Sequence, residues 1–111
     1  MVLSSTSPHL GLERKLAMFA RLGGAPARAA AERFWSAPSA ETWVDYNRWC
    51  RQHYNTRPAG DEGWQRTVFN EAFLFASAGG EQQTMNLLPG LARAARPVLV
   101  MAGALDPVCR A

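Results

Sequence analysis

The sequence has little cysteine, little lysine and no long apolar run, and each shortage excludes something. Its two cysteines, Cys50 and Cys109, lie far apart and form no C-x-x-C pair, which argues against a disulfide framework or a zinc site. No metal and no cofactor are therefore expected, and the thiols suit a reducing cytoplasm. No stretch approaches the ~18 consecutive apolar residues of a membrane span. Met1-Val2-Leu3 leads straight into Ser4-Ser5-Thr6, without the basic segment that opens a secretory signal. Lys15 is the only lysine among 12 basic residues. The arginines are interspersed with acids, as in Glu13-Arg14-Lys15 and Glu32-Arg33, and Arg48 follows close on Asp45. A net charge of +3 spread in this way builds no row of cations for phosphates, so the charges read as solvated surface. Neither a nucleic-acid nor a membrane partner is expected.

What is present is a globular composition: 48% hydrophobic and 19% charged residues in a chain of 111, enough for one modest core. The pattern is mostly helical. Leu12, Leu16 and Phe19 fall at i, i+4 and i+7, one face of a helix that Gly23-Gly24 should stop. Pro26 suits the first turn of a second helix, with Ala27, Ala30, Ala31 and Phe34 on one face and Trp35 beside them, closing before Pro38. Ser39 is a good N-cap for a third helix reaching about Tyr54. Trp43, Tyr46, Cys50 and Tyr54 form its stripe, flanked by Trp49 and His53. A loop over 55–60, a short helix over 61–68 and a helix from Asn70 to Ser77 follow, the last with Phe73, Leu74 and Phe75 inside. Leu87, Leu88 and Leu91 are the anchors of the next stretch, with Pro89-Gly90 as a turn.

The character changes at Pro97. Pro97-Val98-Leu99-Val100-Met101-Ala102 is a continuous apolar run, the mark of a parallel strand buried on both faces. Met1-Val2-Leu3 reads likewise as the end of a buried strand. The fold class is mainly α with two short parallel strands. Gly103-Ala104-Leu105-Asp106-Pro107 is the exit loop of the second strand. In open parallel sheets, functional groups gather beyond the carboxyl ends of strands. Taken alone, Asp106 fits two roles: a cap for the turn before Pro107, which spacing favours, or an acid that orients a histidine.

The segment from Pro97 to Cys109 resembles the penultimate core strand of α/β-hydrolases, which ends in a Gly-x-x-Asp loop. Leu3-Ser4-Ser5-Thr6 resembles the end of the preceding strand, where a helical cap leaves the sheet. The closest subgroup is the proline-iminopeptidase-like hydrolases. The resemblance implies a partial α/β-hydrolase fold, with a helical cap between two parallel core strands. Residues 1–7 would be the end of a core strand and its exit loop, 8–95 the cap, and 96–111 the second strand with the catalytic-acid loop. Asp106 would be the acid of a Ser–His–Asp triad. Trp35, Trp43, Tyr46 and Trp49 would line an apolar pocket for a small-molecule or peptide substrate, with Tyr54 and Trp64 in the same aromatic set. Taken singly, each reads first as packing between the cap's own helices, since a stripe at helical spacing is more often core. Such an enzyme cleaves ester, amide or peptide bonds through an acyl-serine.

Several residues depart from that pattern. Ala104 and Leu105 are neutral where acids are common, and Arg110 stands where proline is common. More seriously, the sequence holds no G-x-S-x-G elbow, and no histidine follows Asp106, although the family's order is Ser, acid, His. His9 and His53 precede the acid and read as surface or packed residues. Ser4, Ser5 and Ser7 lack the elbow glycines, and Cys109 reads as a small buried filler. The expectation is a piece of a larger hydrolase, inactive alone, whose unpaired strand edges promote association. The alternative is a self-standing helical interaction module with an aromatic binding face.

Overall fold

The helix expected to stop at Gly23-Gly24 bends there instead. In the computed structural model, which describes residues 1–56 and 62–109, α1 runs Leu12–Ser36 with a kink at Gly24 (φ 71°, ψ −164°). That backbone conformation is open to glycine and costly for residues with a Cβ. Pro26 lies just past the kink, where the missing N–H breaks no bond of the second half. The kink folds the two halves around one core. Leu16 and Phe19 come from the first half, and Ala27, Ala30, Ala31, Phe34 and Trp35 from the second.

The next helix, α2 (Ala40–Cys50), begins as the sequence requires. Ser39 and Thr42 form a reciprocal capping box, each side chain bonded to the other's backbone N–H. A 3-10 turn, Arg51–Tyr54, takes over after Cys50, so the third helix is shorter than its aromatic stripe. Tyr46 and Cys50 enter the core against the alanines of α1. Those small side chains allow a close approach, and the Cys50 thiol donates to the Ala27 carbonyl at 3.3 Å. Four short helices follow: α3 (Glu62–Gln65), α4 (Glu71–Gly79), α5 (Glu81–Thr84) and α6 (Leu88–Arg93). Asn70 caps α4 by accepting from the Phe73 N–H at 3.0 Å. The amide of Gln83 ties α5 back by donating to the carbonyls of Trp35 and Ala78, at 2.8 and 2.6 Å.

The two strands, β1 (Val2–Ser4) and β2 (Leu99–Met101), pair in parallel with Leu3 opposite Val100. The pairing extends past both ends: the Leu99 N–H donates to Met1 O and the Ser5 N–H to Met101 O, each at 2.9 Å. Every helix lies in the crossover between them, as a parallel pair demands. The molecule is therefore mainly helical with two short parallel strands. No helix of the described residues is long and apolar enough to cross a membrane.

Four expectations need correction. Neither strand is buried: Val2 is 59% and Val100 53% exposed, and Met1, Leu99 and Met101 are exposed too. Among the described residues no third strand joins the two-stranded sheet, and its apolar side chains stay exposed. Phe73 is 71% exposed, because α4 meets the core through Ala78, with only Leu74 and Phe75 packed against it. Leu87 and Leu88 are exposed as well, and Pro89-Gly90 is no turn but part of α6, with the proline in the first turn. Lys15 is not solvated surface but buried. Residues 57–60 of the expected loop, Asp61, the Trp64 side chain and Arg110 lie outside what is described.

Candidate functional site

Asp106 sits one tight turn beyond β2, where its own N–H donates to the Gly103 carbonyl at 3.0 Å. Its Oδ1 accepts from the backbone N–H of Val108 (2.8 Å) and of Cys109 (2.7 Å). The capping role is thus real, and it uses one oxygen only. No hydrogen bond from the described residues reaches Oδ2. A carboxylate anchored by two amides and open at its second oxygen suits an acid that orients a donor. Pro107 is buried and Val108 packs against the helical core, which docks the loop on α1.

Between that loop and α1 lies a cleft of about 180 Å3, lined by Arg14, Lys15, Met18 and Arg21 from the helix and by Asp106, Pro107 and Val108 from the loop. Lys15 is 5% exposed, with its Nζ 3.9 Å from the centre of the Trp35 ring. Burial, opposed in part by neighbouring Cys109, brings its pKa down to about 8. The ammonium therefore persists at neutral pH with reduced hydration. Cys109 is half-buried; burial first and the Asp106 charge second push its thiol up. It is held as a thiol, a poor nucleophile.

The four aromatic residues expected at a substrate pocket are not brought to this cleft. Trp35 and Tyr46 are buried in the core, while Trp43 and Trp49 pack half-buried at its edge. Trp43 stacks on Tyr46 with centroids 5.8 Å apart, and Tyr46 lies 4.8 Å from Phe34. The Tyr46 hydroxyl is hydrogen-bonded to that of Tyr54. Burial first, with Tyr54 beside it, raises the Tyr46 pKa far above the usual phenol value. Trp35 touches the cleft only through Lys15. His9 and His53 do not line it either. His9 bridges by its backbone to Asn86, and His53 packs its ring against Gly23 with Nε2 buried and unpartnered. Ser7 is a turn residue whose hydroxyl donates to His9 O at 2.6 Å. Among the described residues no group of three or more His, Cys, Asp or Glu could hold a metal ion.

The cationic lining went unnoticed in the sequence, although a signal existed. Leu12, Lys15, Leu16 and Phe19 form an i, i+3, i+4, i+7 set, so Lys15 occupies a position on the apolar stripe. No family model matches the chain, and no curated protein or solved structure matches it.

Proposed function

We propose that the chain forms the helical cap, two sheet strands and acid-bearing loop of a serine-type α/β-hydrolase of the proline-iminopeptidase-like kind. The observation that carries this reading is the β1–β2 pair. Two adjacent parallel strands are joined by an all-helical crossover, and Asp106 stands just past the carboxyl end of the second. In the reaction a serine attacks the ester or amide carbonyl, and a histidine takes its proton and returns it to the leaving group. Asp106 holds that histidine in the correct tautomer through Oδ2. The 111 residues hold no G-x-S-x-G elbow and no histidine after Asp106, so on this reading the chain by itself turns over no substrate. Both cysteines are free, in keeping with a reducing cytoplasm.

The test is a chimera in which this chain replaces the cap and acid strand of a proline iminopeptidase. It should hydrolyse a p-nitrophenyl ester, and Asp106→Asn should cut the rate by roughly 10^4-fold, the scale for loss of a triad acid. A folded chimera whose rate ignores Asp106→Asn overturns the assignment. So does hydrolysis by the 111-residue chain alone that Asp106→Asn abolishes.

One observation favours the second reading, a self-standing helical interaction module. The core cluster lies wholly within Leu16–Ala78, and neither strand contributes to it. Removing residues 1–7 and 97–111 and recording circular dichroism separates the two. Retained helicity with a cooperative melt supports the module, and collapse of the signal supports the hydrolase piece.

A further inference from the structure

The cleft beside Asp106 has a cationic wall that forms no ion pair among the described residues. Arg14, Met18 and Arg21 stand at i, i+4 and i+7 on α1 and face the cleft together. Lys15 lines the same cleft from below, its stem buried and its ammonium on the Trp35 ring. Among the described residues the ion pairs are Arg28–Glu13 and Arg33–Asp45, and none involves Arg14, Lys15 or Arg21. An indole face returns only part of the hydration that a buried ammonium loses. Asp106 does not make up the rest: its Oδ1 caps the Val108 and Cys109 amides, and its carboxylate, although it faces the same cleft, forms no ion pair with Lys15.

We propose that this cleft binds the carboxylate of a small ligand, with Lys15 at its floor and the guanidinium groups of Arg14 and Arg21 at its rim. A carboxylate there accepts from the ammonium and from the planar donor fork of an arginine, the strongest hydrogen bonds these side chains make. A space of about 180 Å3 holds a group of several heavy atoms, not a macromolecular surface. Asp106 on the facing wall opposes extra negative charge, so a carboxylate fits better than a phosphate dianion. The lowered pKa of Lys15, about 8, still leaves it cationic at pH 7. This inference does not rest on the hydrolase reading. Joined to it, the substrate is an ester or amide that also carries a free carboxylate.

Calorimetric titration of the whole chain at pH 7 tests the proposal with N-acetylglycine, N-acetylglycinamide and inorganic phosphate as probes. N-acetylglycine should bind one to one, at least about tenfold tighter than the amide, since the amide forfeits the charge-assisted bonds. Phosphate should bind more weakly than the carboxylate. Lys15→Met, which keeps the buried stem, should lose about tenfold, and so should the Arg14→Gln/Arg21→Gln pair. The arginine side chains are exposed, so that pair decides the matter if Lys15→Met does not fold. Equal binding of acid and amide, no binding at millimolar probe, tighter binding of phosphate, or indifference to the arginine pair each overturns the proposal. Binding is read without turnover, so a failed ester assay does not touch it.

Discussion

Gly23→Ala probes the kink on which the core depends. A Cβ at this position would lie 2.3 Å from His53 Nε2 and 2.6 Å from the Ala27 Cβ. The second contact exists because α1 bends at Gly24; in a straight helix, neighbours four apart stand about 5–6 Å from each other. His53 could turn aside only by moving a ring whose Nε2 is buried, and Ala27, fully buried, can yield only with its backbone. Overpacking costs roughly 1–3 kcal/mol, and two contacts this far below van der Waals distance against buried neighbours put this site at about 2–3 kcal/mol. Alanine recovers up to about 1 kcal/mol of helix propensity over glycine, leaving a net loss near 1–2 kcal/mol. For a domain of this size that lowers Tm by roughly 4–15 °C. Thermal and urea unfolding followed by circular dichroism at 222 nm measure it. Adding His53→Ala should restore only part of the loss, because the Ala27 contact remains. A Gly23→Ala chain as stable as the parent would refute the reasoning, and so would full recovery in the double variant.

Other outcomes follow from the same structure. Lys15 has its pKa lowered from 10.5 to about 8, so the unfolded chain binds the extra proton between those values. Its contribution to stability therefore rises with pH from about 8 to 10.5, by up to about 3 kcal/mol. Lys15→Met should flatten that rise in pH-dependent urea unfolding; an unchanged slope contradicts the assignment. Cys50 is fully buried and its thiol is pushed up to about 12, so a thiol reagent at pH 8 should modify Cys109 in the native chain and Cys50 only in urea. Rapid native labelling of both would show that the core opens. The exposed apolar strands should drive concentration-dependent association in light scattering. Val100→Lys should reduce it, whereas a parent chain that is monomeric at all concentrations speaks against sticky edges.

Much of the helical layout was legible because it is written in local chemistry. Ser39 and Thr42 close a capping box within four residues, and Asn70 caps α4 by one bond, accepting from the Phe73 N–H. The stripe of Leu16 and Phe19 and the alanine face ending at Phe34 became the core. Gly23-Gly24 marked a break, but adjacent residues could not say whether the chain would stop or bend. Periodicity also misjudged depth. Phe73, Leu87 and Leu88 are apolar enough for a core, yet no element packs over them. Asp106 was found through its loop motif, and its two backbone donors then showed why that loop needs an acceptor oxygen at this position.

The sequence by itself determined where α2 and α4 start, which faces of α1 turn inward and that residues near 98–101 are strand, since caps and apolar spacing act over a few residues. It also determined that Asp106 follows a strand. It did not determine that α1 bends at Gly24 or that Pro89-Gly90 lies within α6. Only the tertiary structure decided the register that sets Leu3 opposite Val100, which aromatics of the stripe are buried, and that Lys15 lies buried beside Asp106. Those outcomes depend on which surfaces meet across long stretches of chain. A residue's own neighbours in sequence carry no record of that meeting, because burial and charge pairing are set by the far partner.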